Sequence, residues 1–225
     1  MKTTVWNEAM ADNTAKLLFE SGSYLVDFSK PKEDWFIWKS GIRAPCYCNC
    51  RYLNRSFQAY EACSAYLESI VRLEFPDTQI VVGLASAGVS WATRIASRLL
   101  LPMSFVRGTP KSYGVGKLVE CSPDRGLKAI IIDDLCGSGD SALNAIQALE
   151  WEYQIETLGL VTITNWCFES MWKKFDPLEI KVLSLTSYPN ILKIGVEKNE
   201  LTPEQAEMLQ EFYKAPRTYK WPDLS

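Results

Sequence analysis

Residues 129–141 read Ala-Ile-Ile-Ile-Asp-Asp-Leu-Cys-Gly-Ser-Gly-Asp-Ser, and they constrain the fold more than any other stretch of the chain. An apolar run, Ile130, Ile131 and Ile132, ends in two adjacent carboxylates, Asp133 and Asp134. A loop of glycine and small hydroxyl-bearing residues follows, and Ala142, Leu143, Ala145, Ile146 and Leu149 then take up helical spacing. Unbroken apolar character belongs to a strand covered on both faces, as in a parallel sheet. Glycines let backbone N–H groups turn toward an anion, and a helix start adds the positive end of its dipole. Carboxylates in that place would repel a bare phosphate, so they imply a second kind of group beside it, such as sugar hydroxyls. A ribose 5-phosphate carries both groups side by side. A plain βα turn needs neither the second Asp nor the Gly-Ser-Gly-Asp-Ser series. The stretch from Gly137 to Ala142 also matches the G-x-G-x-x-A dinucleotide fingerprint. That match lies mid-chain, however, and would ring a pyrophosphate with Asp133, Asp134 and Asp140.

The 225-residue chain is long enough for one sizeable α/β domain with its own core. A net charge of −3 supplies no basic field for nucleic acid or anionic lipid. The complete absence of histidine is more decisive. It removes the commonest general base, the commonest zinc ligand and every Ser-His or Cys-His nucleophile scheme. Chemistry here must run on carboxylates, Lys, Arg, Tyr, backbone dipoles or a bound metal. Seven cysteines without a pairing pattern suit a reducing cytoplasm. The opening Met1-Lys-Thr-Thr-Val-Trp-Asn-Glu lacks the apolar segment of a secretory signal. The most apolar region, 80–106, is interrupted by Arg94, Arg98 and Pro102 and does not read as a membrane span.

Along the chain, the pattern predicts a helix over 7–21, short strands over 24–28, 35–39 and 46–50, and a helix over 55–73. Alternation of strand and helix then begins: strand 79–84, helix 88–100, strand 103–106, strand 128–133, helix 139–151, strands 157–164 and 180–185. The tail, 190–213, reads as two helices, the second opened by Thr202 as N-cap, Pro203 in the first turn and Gln205 at the third position.

Three further segments carry candidate chemistry. Arg107-Gly-Thr-Pro-Lys111-Ser-Tyr113-Gly-Val-Gly-Lys117 follows a strand, has no periodic apolar face, and reads as a surface loop or as a lid bringing Arg107 and Lys111 onto phosphates. Gly83-Leu-Ala-Ser86-Ala87-Gly88 turns strand into helix through small residues, either a tight βα turn or a second anion site made of backbone amides. Trp38-Lys39-Ser-Gly41-Ile-Arg-Ala-Pro45-Cys46-Tyr47 sets a Lys and aromatics around a Gly/Pro-kinked turn. Cys46, Cys48 and Cys50 fall on one face of a strand; without a second Cys pair at zinc spacing they read as small buried residues.

Taken in chain order, these four segments resemble the type I phosphoribosyltransferases, and among them the orotate subfamily. The likeness runs from about Trp35 to the tail. The stretch from Ile132 to Ser141 is similar to that family's phosphoribosyl pyrophosphate motif. Trp38-Lys39-Ser40-Gly41 with Pro45 is similar to the orotate subfamily's Lys-Ser-Gly turn. The stretch from Val106 to Gly114, then Leu118-Val119-Glu120, is similar to its catalytic loop and the strand after it, and Leu185-Thr-Ser-Tyr188 with the following helices to some members' C-terminal extension. Departures accompany the match. Gly108 and Tyr113 stand where the loop has Lys and His, and Ala87 stands where the pyrophosphate turn has Lys. Gly137 replaces a threonine, Cys46 and Tyr47 replace the paired aromatics over the base, and Trp166 falls near the arginine that meets the orotate carboxylate.

The resemblance implies an α/β, parallel-sheet phosphoribosyltransferase fold with a small N-terminal hood and a helical C-terminal tail. It would form a single domain over 1–225: helix and hood over 1–75, α/β core over 76–188, tail over 189–225. It implies Mg2+-dependent transfer of a 5-phosphoribosyl group from phosphoribosyl pyrophosphate to a nucleobase, orotate foremost, with the ion held through substrate. Asp133 and Asp134 would hold the ribose hydroxyls. Leu135 would lead into Cys136, Gly137, Ser138, Gly139, Asp140 and Ser141, which hold the 5′-phosphate. Amides of Ser86 and Ala87 would meet pyrophosphate, Lys111 and Arg107 would close over it, and Lys39, Cys46 and Tyr47 would meet the base. A homodimer with no nucleic-acid or membrane partner is expected, in cytoplasmic pyrimidine biosynthesis. A transferase for another base, and a non-catalytic sensor of phosphoribosyl pyrophosphate or a nucleotide, stay open.

Overall fold

A computed structural model describes residues 4–38, 40–109, 117–166 and 168–222. Helix α1 (Glu8–Glu20) is opened by Asn7, whose side chain accepts from the Met10 amide. Four short strands follow: β1 (Tyr24–Val26), β2 (Phe36–Ile37), β3 (Arg43–Ala44) and β4 (Cys46–Cys48). They form two separate antiparallel pairs, β1 with β4 and β2 with β3. A 3-10 turn, Cys50–Arg55, leads into α2 (Phe57–Glu74), capped by Ser56. The expected strand over 46–50 therefore stops two residues early. Cys50 enters the turn, and its Sγ lies 3.6 Å from that of Cys48.

The remainder alternates: β5 (Ile80–Leu84), α3 (Ala87–Leu99), β6 (Met103–Val106), β7 (Lys128–Cys136), α4 (Asp140–Tyr153), β8 (Glu156–Asn165), α5 (Glu169–Phe175), β9 (Lys181–Ser187), α6 (Tyr188–Glu197) and α7 (Pro203–Lys214). The five strands form one parallel sheet in the order β6-β5-β7-β8-β9. The α7 start carries the expected capping box, with Thr202 and Gln205 bonded reciprocally. Helix α5 has no counterpart in the sequence-based expectation.

Side-chain alternation along the strands sorts the core into two layers. Val81, Ile130, Ile132, Val161 and Ile163 face a layer with Leu67, Ile70, Trp91, Ile95, Ile191 and Phe212. Ile80, Val82, Ala129, Ile131 and Leu160 face the other side, with Ala145, Leu149, Met171 and Phe175. Each strand thus has apolar partners above and below, which accounts for the unbroken isoleucine run. Among the described residues no helix is long and apolar enough to cross a membrane.

The strand order reverses between β5 and β7. The chain leaves β5 outward to β6, then returns past β5 to build β7, β8 and β9. At such a switch point the loops leaving adjacent strand ends diverge and open a crevice, where open α/β sheets bind ligands. Gly88 brings the two loops together: a Cβ there would lie 2.5 Å from the Ile132 carbonyl oxygen and 3.1 Å from Asp133 Oδ1. Overpacking of this kind typically costs about 1–3 kcal/mol. Gly88→Ala is expected to lower unfolding free energy by roughly that amount in urea titration; an unchanged midpoint would show that α3 can retreat from β7 without loss.

Candidate functional site

The expected strand over 128–133 runs on to Cys136, so Asp133 and Asp134 belong to β7 itself and project from its carboxyl end. Both are half-buried. Asp133 Oδ1 accepts from the Asp134 amide at 2.9 Å. Burial pushes the Asp134 carboxyl above the ordinary aspartate range; the hydrogen bond with Asp133 and the positive charge of Arg51 oppose that rise. Arg51 projects, exposed, from the 3-10 turn whose Cys50 and Leu53 are fully buried. Sequence reading did not single it out, because nothing local distinguishes an arginine in a turn from a solvated one.

The loop after β7 holds its shape through glycine and through α5. Gly139 has φ +79°, and a Cβ there would meet Phe175 Cε2 at 2.6 Å. The Leu143 amide donates to the Gly139 carbonyl at 2.9 Å, which starts α4 directly from the loop. Ser138, Asp140 and Ser141 are exposed, while Leu135 and Gly137 are half-buried. Cys136 is buried, and its thiol points at Met171 Sδ, 3.6 Å away, so only its backbone faces the loop. From α5, Lys174 Nζ donates to the Ser138 carbonyl at 2.8 Å and to the Asp140 carboxylate, and Ser138 Oγ donates to the same carboxylate at 2.6 Å. The lysine and the serine hold the Asp140 carboxyl below its usual range. The i, i+4 pair Met171 and Phe175 is a sequence signal for α5, with Glu169 in its first turn and Lys173 and Lys174 in its last.

Across the switch point, Ser86 is exposed and Ala87 half-buried at the start of α3; the Ala85–Ser86 peptide is cis. Beyond β6, Arg107 is half-exposed. Its amide donates to the Leu118 carbonyl at 3.0 Å, Val106 and Val119 form an antiparallel bridge, and the Glu120 amide donates to the Phe105 carbonyl at 2.9 Å. The segment between them therefore leaves and returns at one point on the sheet edge. The Arg107 side chain pairs with Glu120 at 3.5 Å. Lys111 and Tyr113 lie outside the described residues, as does Lys39.

The base-side expectations need correction at Cys46. It is fully buried within β4, its Sγ 3.8 Å from the Tyr188 hydroxyl, and burial pushes the thiol up to about 11. Its side chain offers no surface to a planar ligand. Tyr47 is half-buried and stacked on Phe36 with centroids 5.9 Å apart. Trp38 is the large aromatic beside Cys46. It stacks on Trp166 at 5.4 Å and 7°, and its Nε1 donates to the Cys46 carbonyl at 2.8 Å. Trp166, at the end of β8, is edge-on to Tyr188 at 4.8 Å, and a Cβ on Gly137 would lie 3.3 Å from Trp166 Cδ1. The aromatic stack thus borders the loop that follows β7. Gly137 and Trp166, two separate departures in sequence, are neighbours in space and match in size.

A crevice with hydroxyl-accepting carboxylates, a glycine loop at a helix start and a neighbouring aromatic wall can hold a sugar phosphate with a planar group beyond it. Ribose hydroxyls donate best to ionised carboxylates. Because burial raises the Asp134 pKa, ribose 5-phosphate affinity should decline on the acid side at a pH above that of an ordinary aspartate. Because Arg51 opposes the rise, Arg51→Gln should move that midpoint higher still in calorimetric titrations across pH. A midpoint indifferent to Arg51 would contradict this electrostatic account.

Known proteins match this architecture. The model of the phosphoribosyl transferase domain matches residues 53–165. Orotate phosphoribosyltransferase of Bacillus cereus (strain G9842) is 30% identical over 212 residues, spanning 94% of this chain and 99% of that protein. Among solved structures, orotate phosphoribosyltransferase from Aeropyrum pernix superposes with a TM-score of 0.68 at 24% identity, covering 83% of this chain and 97% of that one. Leishmania donovani UMP synthase gives a TM-score of 0.74 at 19% identity over 92% of this chain, which spans 42% of that longer protein. At these identities the two structures speak for the fold.

Proposed function

The chain belongs to the phosphoribosyl transferase domain family, and from that premise we propose that it transfers a 5-phosphoribosyl group from phosphoribosyl pyrophosphate to orotate, releasing pyrophosphate. The observation that carries the reading is the pairing of Asp133 and Asp134 with the 136–141 loop at the β5–β7 switch point. That arrangement supports a ribose 5-phosphate held at both ends. The similarity to orotate phosphoribosyltransferases over almost the whole chain supports the acceptor.

The chemistry asks little of acids and bases. Ribose C1 parts from pyrophosphate through an oxocarbenium-like state, as in glycoside chemistry, and a base nitrogen forms the new bond. Positioning and charge stabilisation of the leaving group do the rest. A chain without histidine can therefore perform it. Asp133 and Asp134 hold the ribose hydroxyls, and the backbone of 136–141 holds the 5′-phosphate. Amides at Ser86 and Ala87, with Arg107 and Lys111, meet pyrophosphate. Lys39 and Tyr47 meet the base, beside Trp38. The likeness to phosphoribosyl transferases supports Mg2+ as the cofactor; held through the substrate's pyrophosphate, it would supply charge neutralisation to the leaving group.

A second reading, transfer to a base without a carboxylate, is favoured by one observation. Trp166 is 5% exposed within an aromatic stack, and an unpaired carboxylate against such a surface is costly. The test for both is a nucleobase panel with phosphoribosyl pyrophosphate and Mg2+, reading pyrophosphate release. Turnover with orotate supports the first reading, and turnover only with a neutral base supports the second. Binding of phosphoribosyl pyrophosphate without turnover of any base would replace both with a sensor. Given turnover, Lys111→Ala should cost about 2.7–4 kcal/mol of transition-state stabilisation, roughly a hundred- to thousandfold in kcat. Its melting temperature should stay unchanged. A kinetically silent Lys111→Ala would remove this lysine from the catalytic account.

A further inference from the structure

Asp140 raises an electrostatic problem at the phosphate loop. It is the first residue of α4, where the helix dipole and free amides favour an anion. A carboxylate in that place competes with an incoming phosphate and repels it. The structure sets a cation against it: Lys174 Nζ bonds the Asp140 carboxylate and, at 2.8 Å, the Ser138 carbonyl inside the loop. The lysine is not a loose surface partner, since its side chain retains 27% exposure and α5 is fastened on both sides of it. Met171 receives the Cys136 thiol at 3.6 Å and the Asn165 amide at 3.3 Å, and Phe175 packs where a Gly139 side chain would be.

We propose that Lys174 is a positioning residue of the 5′-phosphate subsite: it cancels the Asp140 charge and pins the Ser138 peptide, leaving the loop amides to the phosphate. This rests on reading 136–141 as the 5′-phosphate site. Lys174 acts through Asp140 and Ser138, so its removal should be felt by ligands that carry the 5′-phosphate and not by those held across the switch point.

The experiment measures binding of ribose 5-phosphate and of pyrophosphate with Mg2+, separately, by calorimetry on the full chain. Lys174→Met should weaken ribose 5-phosphate by about ten- to hundredfold, the range of one charge-assisted contact, and leave pyrophosphate unchanged. Adding Asp140→Asn to Lys174→Met should restore most of the loss, because the uncompensated charge is gone. Lys173→Ala, which breaks only the exposed i, i+4 pair with Glu169, should change neither ligand. Equal ribose 5-phosphate binding by Lys174→Met and the unaltered protein would overturn the assignment alone. So would equal loss of both ligands, the mark of a merely structural role, or failure of Asp140→Asn to rescue. Absence of ribose 5-phosphate binding in the unaltered protein would overturn the phosphate-site reading together with it.

Discussion

The site is referred to β7. This strand is buried on both faces by Ile130, Ile131 and Ile132 and flanked by β5 and by β8, whose pairing shifts by one residue between Ala129 and Ile130 and then holds its register to the strand end. A strand so enclosed cannot slip, because a one-residue shift would exchange its two apolar faces and drive Asp133 into a core layer. The two carboxylates, the glycine loop and the start of α4 therefore occupy places fixed by hydrophobic packing below them. Gly88 then lets the neighbouring loop close against the same strand end. What a ligand meets is a small polar rim held by a large apolar base.

Much of this was legible in the sequence because the signals were local and redundant. The strand expected over 128–133, which the structure carries on to Cys136, the loop and α4 announce themselves in one continuous stretch, and the α7 cap is written in Thr202 and Gln205. Helix α5 was not legible. Seven residues make fewer than two turns, and three apolar positions, Met171, Trp172 and Phe175, cannot outweigh a surrounding stretch with no periodicity. Its importance lies in contacts to a loop more than thirty residues earlier, a relation that propensity does not encode. Cys46 was misjudged for a similar reason. Alternation along 46–50 gives a face, but whether that face looks into a crevice or a core depends on Tyr188, which lies 142 residues away.

The aromatic stack beside the loop after β7 shows how departures far apart in sequence become neighbours in space. Gly137 leaves the room that the Trp166 indole occupies, Trp38 stacks on that indole, and Tyr188 closes its edge. Dispersion and aromatic geometry hold this wall, where a cation would hold a carboxylate by charge. The loop after β7 is built the other way, from a helix start, glycines and a carboxylate paired with Lys174.

The hood has a further dependence, on time. Trp35 and Phe28 pack edge-to-face on Trp221, and Lys32 Nζ donates to the Trp221 and Pro222 carbonyls, 189 and 190 residues later. Helix α1 rests on β9 and α6, and Val5 bridges to Ser184. The first elements made are thus completed by the last. At about 5–20 residues per second, roughly 10–40 s of synthesis separate the hood strands from the aromatic residues that cover them. In that interval a set of tryptophans and short, unpartnered strand edges faces the solvent, so the earliest part of this chain to emerge is the part most exposed to wrong company.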